Sequence, residues 1–384
     1  MKIAFFTDTF FPQINGVTNT LGYLSAYLTK RGIEHLFFAP EYPQEPDAPC
    51  DLPVIRFKGL APRIYPECSI ALPSYFVVMS KLKEFAPDVV HIVTEVGVGL
   101  SGLRAARALG IPVVMSYHTD FDKYLDFYNL KYLSNPLWGY MKWFHSFAEV
   151  NLCPSRDTLQ CLEQRGIERL GIWSRGIDGE RFSPEHASAP LRSALGGEGK
   201  TVFLYVGRVA KEKGLDVLAN SIKALNEKHQ DHVLFVFTGD GPYLEELKNE
   251  NIPNVCFTGA KRGRELSQIY ASADAFVFPS GTETFGNVAL EAMASGLPVV
   301  CVNAGGVTDF TRHHENAVVC EYGDGESLTQ GIEQMLNPVL RAKLQQGALA
   351  TAARRSWPAI FDGLMEHYHT AAEKAAVTVQ SIAG

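Results

Sequence analysis

The chain has 384 residues, 46% hydrophobic and 20% charged, with 35 basic against 42 acidic side chains for a net charge of −7. That length predicts two domains, each with its own core. The acidic balance argues against nucleic acid as the main partner, and no apolar run approaches the roughly 20 residues that span a bilayer.

The first residues, Met1 to Phe6, enter a strand directly, without the basic and long apolar regions of a secretory signal, so a cytoplasmic location is expected. Further strands are predicted at Leu36–Ala39, Val89–Val93, Pro112–Ser116 and Val150–Cys153. Helical patterns near Val17–Lys30, Tyr75–Phe85, Leu100–Leu109 and Ser155–Arg165 alternate with them. Gly97-Val98-Gly99-Leu100-Ser101-Gly102 fits a dinucleotide fingerprint, with Asp120 and Asp122 beyond it, but it follows a later strand than the first, and that reading is rejected. Between Tyr132 and Phe147, Trp143 and Phe147 are helically spaced and expected in the core; the alternative is the border of a lipid groove or a membrane interface.

A second series follows, with strands at Val202–Val206, Leu234–Thr238, Val255–Thr258, Ala275–Phe278, Val299–Val302 and Ala317–Cys320. Pro184, Pro190 and the glycines at 196, 197 and 199 place a linker within about 168–200. Beyond Pro358 the pattern is helical to about Lys374. Seven cysteines, Cys50, Cys68, Cys153, Cys161, Cys256, Cys301 and Cys320, form no C-x-x-C pair and are expected to be inert buried thiols. His313 and His314 are expected at the surface, without a ligand framework for a metal.

The most informative junction runs from Pro279 to Val300. A buried strand stops at Pro279-Ser280-Gly281, and helix-forming residues resume at Val288. A helix starting at a parallel strand's carboxyl end aims free N–H groups at a phosphate, and Gly286 lets the backbone come close. Glu283 precedes that helix, while Asn287 and Glu291 share one of its faces. Carboxylates repel a diphosphate but accept hydrogen bonds from hydroxyls, so the ligand expected has anionic and polyhydroxyl parts, as a nucleotide sugar does.

The Glu283-x7-Glu291 spacing in this context resembles the signature of retaining glycosyltransferases of family 4, which have the GT-B fold. Gly207-Arg208 with Glu212-Lys213-Gly214 is similar to the family's diphosphate loop, Arg175-Gly176-Ile177-Asp178 through Phe182 and Pro184 to its interdomain entry, and Thr238-Gly239-Asp240-Gly241-Pro242 to a strand-to-helix turn. In the N-terminal half, Thr7 to Pro12, Asn15-Gly16-Val17 and Ser116-Tyr117-His118-Thr119 resemble members that glycosylate lipids or mannose-containing acceptors.

The resemblance implies an α/β architecture of two doubly wound, Rossmann-like domains facing a central cleft. Residues 1–172 with a returning helix at 358–384 would form the acceptor side, and 173–357 the nucleotide-sugar side. It implies catalytic roles for His118, Arg208, Lys213 and Glu283. Donor binding falls to Gly16, Gly207, Phe285, Gly286, Asn287, Val288 and Glu291, and acceptor contacts to Asn15, Tyr117 and Asp120. No metal and no cofactor are expected, since Arg208 and Lys213 supply the positive charge.

GDP-mannose is the first expected donor, followed by UDP-glucose or UDP-galactose. The acceptor expected is a lipid or saccharide hydroxyl, with a soluble acceptor as the alternative that goes with a UDP-hexose donor. Residues 1–170 hold 16 basic and 17 acidic side chains, a balance that suits a peripheral position on the inner, anionic face of a membrane. Rival readings are a GT-B epimerase or phosphorylase, and a sugar-nucleotide sensor without turnover.

Overall fold

Strand β1 (Lys2–Phe6) buries Ile3 and Phe5 in one core cluster and Ala4 and Phe6 in another, which requires helices on both faces of its sheet. The structure, a computed structural model, describes residues 1–13, 15–42, 52–60, 70–118 and 131–383. It divides into two compact units, Met1–Arg175 with Trp357–Gly384, and Gly176–Ser356.

In the first unit, β2 (Glu34–Pro40) and β3 (Val54–Phe57) follow β1, then β4 (Gly59–Leu60) and β5 (Ile70–Ala71), which pair antiparallel. β6 (Val89–Ile92), β7 (Val113–Ser116), β8 (Val150–Cys153) and β9 (Leu170–Ile172) complete a seven-stranded parallel sheet of order β3-β2-β1-β6-β7-β8-β9. The last helix, Trp357–Ala383, packs on the same unit. Trp357 stacks on Tyr23 at 5.0 Å, Tyr368 is fully buried, and Asp362 accepts from Arg31 at 2.8 Å.

The second unit repeats the architecture with β10 (Thr201–Val206), β11 (Val233–Thr238), β12 (Val255–Gly259), β13 (Ala275–Phe278), β14 (Val299–Val302) and β15 (Ala317–Cys320). Its parallel sheet has the order β12-β11-β10-β13-β14-β15. In both sheets the chain winds outward from the first strand and then crosses to that strand's other side. The switch points are therefore β1/β6 and β10/β13, where open α/β sheets bind ligands at the carboxyl ends of their strands.

Four strands escape the sequence reading: the two-residue pair β4 and β5, and β3 and β9, which lie at sheet edges and are only partly buried. Short runs with weak burial leave little periodic signal. Between the units the chain breaks after Arg175, and the rest of the 168–200 stretch includes β9, a 3-10 turn at Pro184–His186 and a helix at Ala189–Ala194.

The helix Ser134–His145 corrects the expected phase of the aromatic segment. It buries Trp138, Met141, Phe144 and His145, whereas Trp143 is 48% exposed and meets Phe147 edge-on at 5.4 Å. The thiols also need one correction. Cys153, Cys301 and Cys320 are buried, with burial pushing Cys301 up to about 12, but Cys256 is only partly buried and Cys161 is exposed. Cys50 and Cys68 lie outside the described residues. His313 and His314 stack on each other at the surface, as expected. Among the described residues no helix is long and apolar enough to cross a membrane.

Candidate active site

At the β10/β13 switch point, the backbone after β10 is fastened to the loop after β11. Gly207 N–H donates to Thr238 O at 3.0 Å and Val209 N–H to Asp240 O at 2.9 Å. Arg208 is thereby held at the strand end with its side chain exposed and only a loose 3.9 Å contact to Glu212. Four residues further on, the loop docks on the segment after β13, where Thr282 Oγ1 donates to Glu212 O at 3.3 Å. Lys213 Nζ then contacts Glu283 Oε1 directly, with both side chains partly buried. Arg208, Lys213 and Glu283 are thus gathered on adjoining loops.

The helix Asn287–Ala294 begins beside them. Gly286, its N-cap, has φ 91°, a left-handed conformation that favours glycine, and no side chain caps the first turn. Its first N–H groups lack intrahelical partners, and the positive dipole end remains open to an anion. Phe285 is a core side chain against Phe310, so only its backbone is available to a ligand, while Asn287 is exposed and Val288 partly buried.

Glu291 sits a turn deeper. Its Oε2 accepts from the Tyr270 hydroxyl at 2.9 Å. Withdrawal from solvent pushes this carboxyl up to about 7, against the opposing effects of the Tyr270 hydrogen bond and the Arg181 charge. Tyr270 and Arg181 were not singled out in the sequence. The Arg181 signal was its place within the entry segment, and Tyr270 had none beyond an apolar helix face.

The β1/β6 switch point in the first unit is closed by the protein itself. Asp8, just past β1, accepts from Val98 N–H at 2.8 Å and from Thr94 Oγ1 at 2.7 Å. Its carboxylate thus occupies the N-terminus of the helix Gly97–Leu109, and burial raises its pKa. The glycine motif there serves packing: a Cβ on Gly97 would lie 2.6 Å from Asp8 Oδ1, and one on Gly102 would lie 2.4 Å from the Phe6 ring. This agrees with rejecting the dinucleotide reading.

Asn15 is the N-cap of the helix Gly16–Lys30, in extended rather than left-handed conformation, its Oδ1 accepting from Val17 N–H at 3.0 Å and Thr18 N–H at 2.9 Å. The side chain expected to touch an acceptor thus already serves as a cap. Gly16 is exposed at the first helical position. Tyr117 is buried, its ring stacked on Trp138 at 6.3 Å, and Asp120 lies outside the described residues. His118 follows β7 at its carboxyl end, with Nε2 on Ser116 Oγ at 2.8 Å and Nδ1 on Arg175 Nη2 at 2.8 Å. Both ring nitrogens are engaged.

Comparison with known proteins extends this geometry. Residues 14–181 match the model described as Glycosyltransferase Family 4, and residues 191–349 match Glycosyl transferases group 1. A GDP-mannose-dependent alpha-mannosyltransferase of Mycobacterium tuberculosis is 33% identical over 96% of this chain and 96% of its own length. Alpha-monoglucosyldiacylglycerol synthase of Streptococcus pneumoniae is 32% identical over 78% of this chain and 70% of its own length. Among solved structures, Anabaena HepE in complex with UDP superposes with a TM-score of 0.76 at 21% identity, covering 96% of this chain and 100% of that one.

Together the fold and these likenesses define a glycosyltransferase with the GT-B fold. Within that class the chain belongs to the family-4 glycosyltransferases.

Proposed function

We propose that the enzyme moves mannose from GDP-mannose to a hydroxyl of a lipid or saccharide acceptor, with retention and without a metal ion. The observation that carries this reading is the uncapped helix at Asn287, standing beside Arg208 and the Lys213–Glu283 pair at one switch point. An open dipole end and two cations suit a diphosphate, and two carboxylates suit sugar and ribose hydroxyls. The choice of GDP-mannose follows the relative of similar length whose name specifies it.

In the reaction the bond from C1 to the diphosphate oxygen breaks and one from C1 to the acceptor oxygen forms on the same face. The acceptor's proton passes to the departing phosphate. Arg208, Lys213 and the amides of Asn287 and Val288 stabilise the growing phosphate charge. Lys213 exchanges part of its contact with Glu283 for the phosphate, which frees that carboxylate for the donor sugar's hydroxyls. Glu291, with Oε2 on Tyr270, offers Oε1 to the ribose.

A lipid acceptor is supported by the relative named for a diacylglycerol product. It is supported also by an apolar group on the first unit, where Leu72 and Phe76 are 79% and 82% exposed beside Tyr75 and Val77, with Lys83 exposed on the same helix. This group suits a peripheral position on a cytoplasmic, anionic membrane face.

The test is a donor panel of GDP-mannose, UDP-glucose and UDP-galactose, read by thermal shift and by transfer to lipid and soluble acceptors. GDP-mannose should give the largest shift and support transfer to lipid. Turnover with a UDP-hexose alone would overturn the donor, and turnover with a soluble sugar alone would overturn the acceptor.

A further inference from the structure

A row of polar side chains runs through the first unit beside the end of β7. The Tyr368 hydroxyl meets His91 Nδ1 at 2.6 Å, His91 Nε2 meets Ser116 Oγ at 3.0 Å, Ser116 Oγ meets His118 Nε2 at 2.8 Å, and His118 Nδ1 meets Arg175 Nη2 at 2.8 Å. The proton positions at its Arg175 end follow from chemistry. A guanidinium has only donors, so Nδ1 of His118 accepts, the ring is neutral, and Nε2–H donates to Ser116. Arg175 is itself only 5% exposed, and among the described residues its Nη1 has no hydrogen-bond partner and no carboxylate pairs with it. Burying a guanidinium that has no carboxylate partner among the described residues is costly, and packing alone would be served better by an apolar residue of similar size. Trp173 braces both groups, with its ring 5.4 Å from the His118 ring and 5.3 Å from the guanidinium carbon.

We propose that Arg175 is a positioning residue for glycosyl transfer: it locks His118 as the neutral Nε2–H tautomer and so fixes the chain at the carboxyl end of β7. The link to transfer rests on reading His118 as a donor-sugar contact; the tautomer does not. With the ring bound at both nitrogens, the backbone of His118 is the part left to face a ligand. Burial first, and then the positive charge of Arg175 and the presence of His91, hold His118 well below the usual histidine range. The groups facing the ring are thus Arg175, Ser116, Trp173 and, through Ser116, His91 with Tyr368.

The test uses the full-length chain with ¹⁵N-labelled histidine, His118 being assigned by its absence in His118→Ala. Long-range ¹H–¹⁵N correlations should show Nε2 protonated and Nδ1 pyridine-like. Arg175→Lys, which retains a donor, should keep that pattern; Arg175→Met should lose it and let the ring titrate at higher pH. In kinetics Arg175→Met should lower kcat on the order of tenfold with little change in donor KM, and Arg175→Lys should recover most of it. Melting curves verify that both variants fold; if Arg175→Met does not, Arg175→Leu takes its place, and the wild-type Nδ1/Nε2 pattern decides the tautomer in either case. A protonated Nδ1 in the wild type, or an unchanged pattern in folded Arg175→Met, overturns the tautomer lock. Normal transfer by folded Arg175→Met, with His118→Ala impaired, overturns the positioning role. Normal transfer by His118→Ala removes the donor-contact reading and the positioning role with it, a case set apart because the tautomer still depends on Arg175.

Discussion

Lys213 Nζ and Glu283 Oε1, 70 residues apart in sequence, are in direct charge contact on adjoining loops after β10 and β13. Partly exposed pairs of this kind contribute on the order of 1 kcal/mol or less to stability. In the proposed mechanism the contact holds the lysine ready for a phosphate. Lys213→Ala and Arg208→Ala should each lower turnover on the order of 10²-fold, the scale of losing one preorganised charge stabiliser, while melting temperatures change little. Wild-type turnover in a folded variant would remove that residue from the leaving-group role.

Glu291 makes stability depend on pH. Its folded pKa of about 7 exceeds the unfolded 4.5, so between those values the folded state binds more protons and stability falls as pH rises. Above pH 7 the carboxylate's contribution is fully unfavourable, by roughly 3 kcal/mol at most. Denaturant titrations should show Glu291→Gln gaining on the wild type from pH 5 to pH 8, while its affinity for nucleotide weakens. Parallel pH curves for the two proteins would contradict the assignment.

Transfer should persist in excess EDTA, because the cations and the helix N-terminus supply the positive charge a metal would bring. Loss of activity on chelation, with recovery on adding magnesium or manganese, would refute this electrostatic scheme.

Asp8 should matter for folding more than for nucleotide binding. Asp8→Ala removes the acceptor of Val98 N–H and of the Thr94 hydroxyl proton, a loss of about 2–3 kcal/mol. Unfolding free energy and nucleotide affinity, measured on the same variant, separate the two roles. Unchanged stability would contradict the capping role described for the carboxylate.

What the sequence shows and hides follows from range. β13 and β14 have the bounds expected from their apolar runs, since four consecutive buried residues leave a local signature. β3 and β9, partly buried at edges, leave none. The Gly207-Arg208, Lys213 and Glu283 segments were recognisable because each belongs to a local strand-to-helix turn. The Asp8–Val98 bond joins residues 90 apart and the His118–Arg175 bond residues 57 apart, and no local pattern announces either. Asn15 was assigned to the acceptor from the resemblance, although Asn immediately before an amphipathic helix is equally a capping signal. Trp143 was assigned to the core from its spacing to Phe147 alone; the buried set Trp138, Met141 and Phe144 has a competing phase on the same helix.

The most direct measurement of the central claim is the anomeric configuration of the product formed from GDP-mannose, read by ¹H NMR as transfer proceeds. A donor held at the β10/β13 site and attacked on the face its diphosphate leaves should yield an α-mannoside. A β-linked product, or no mannosyl product from this donor when the protein is folded and supplied with lipid and saccharide acceptors, would contradict it.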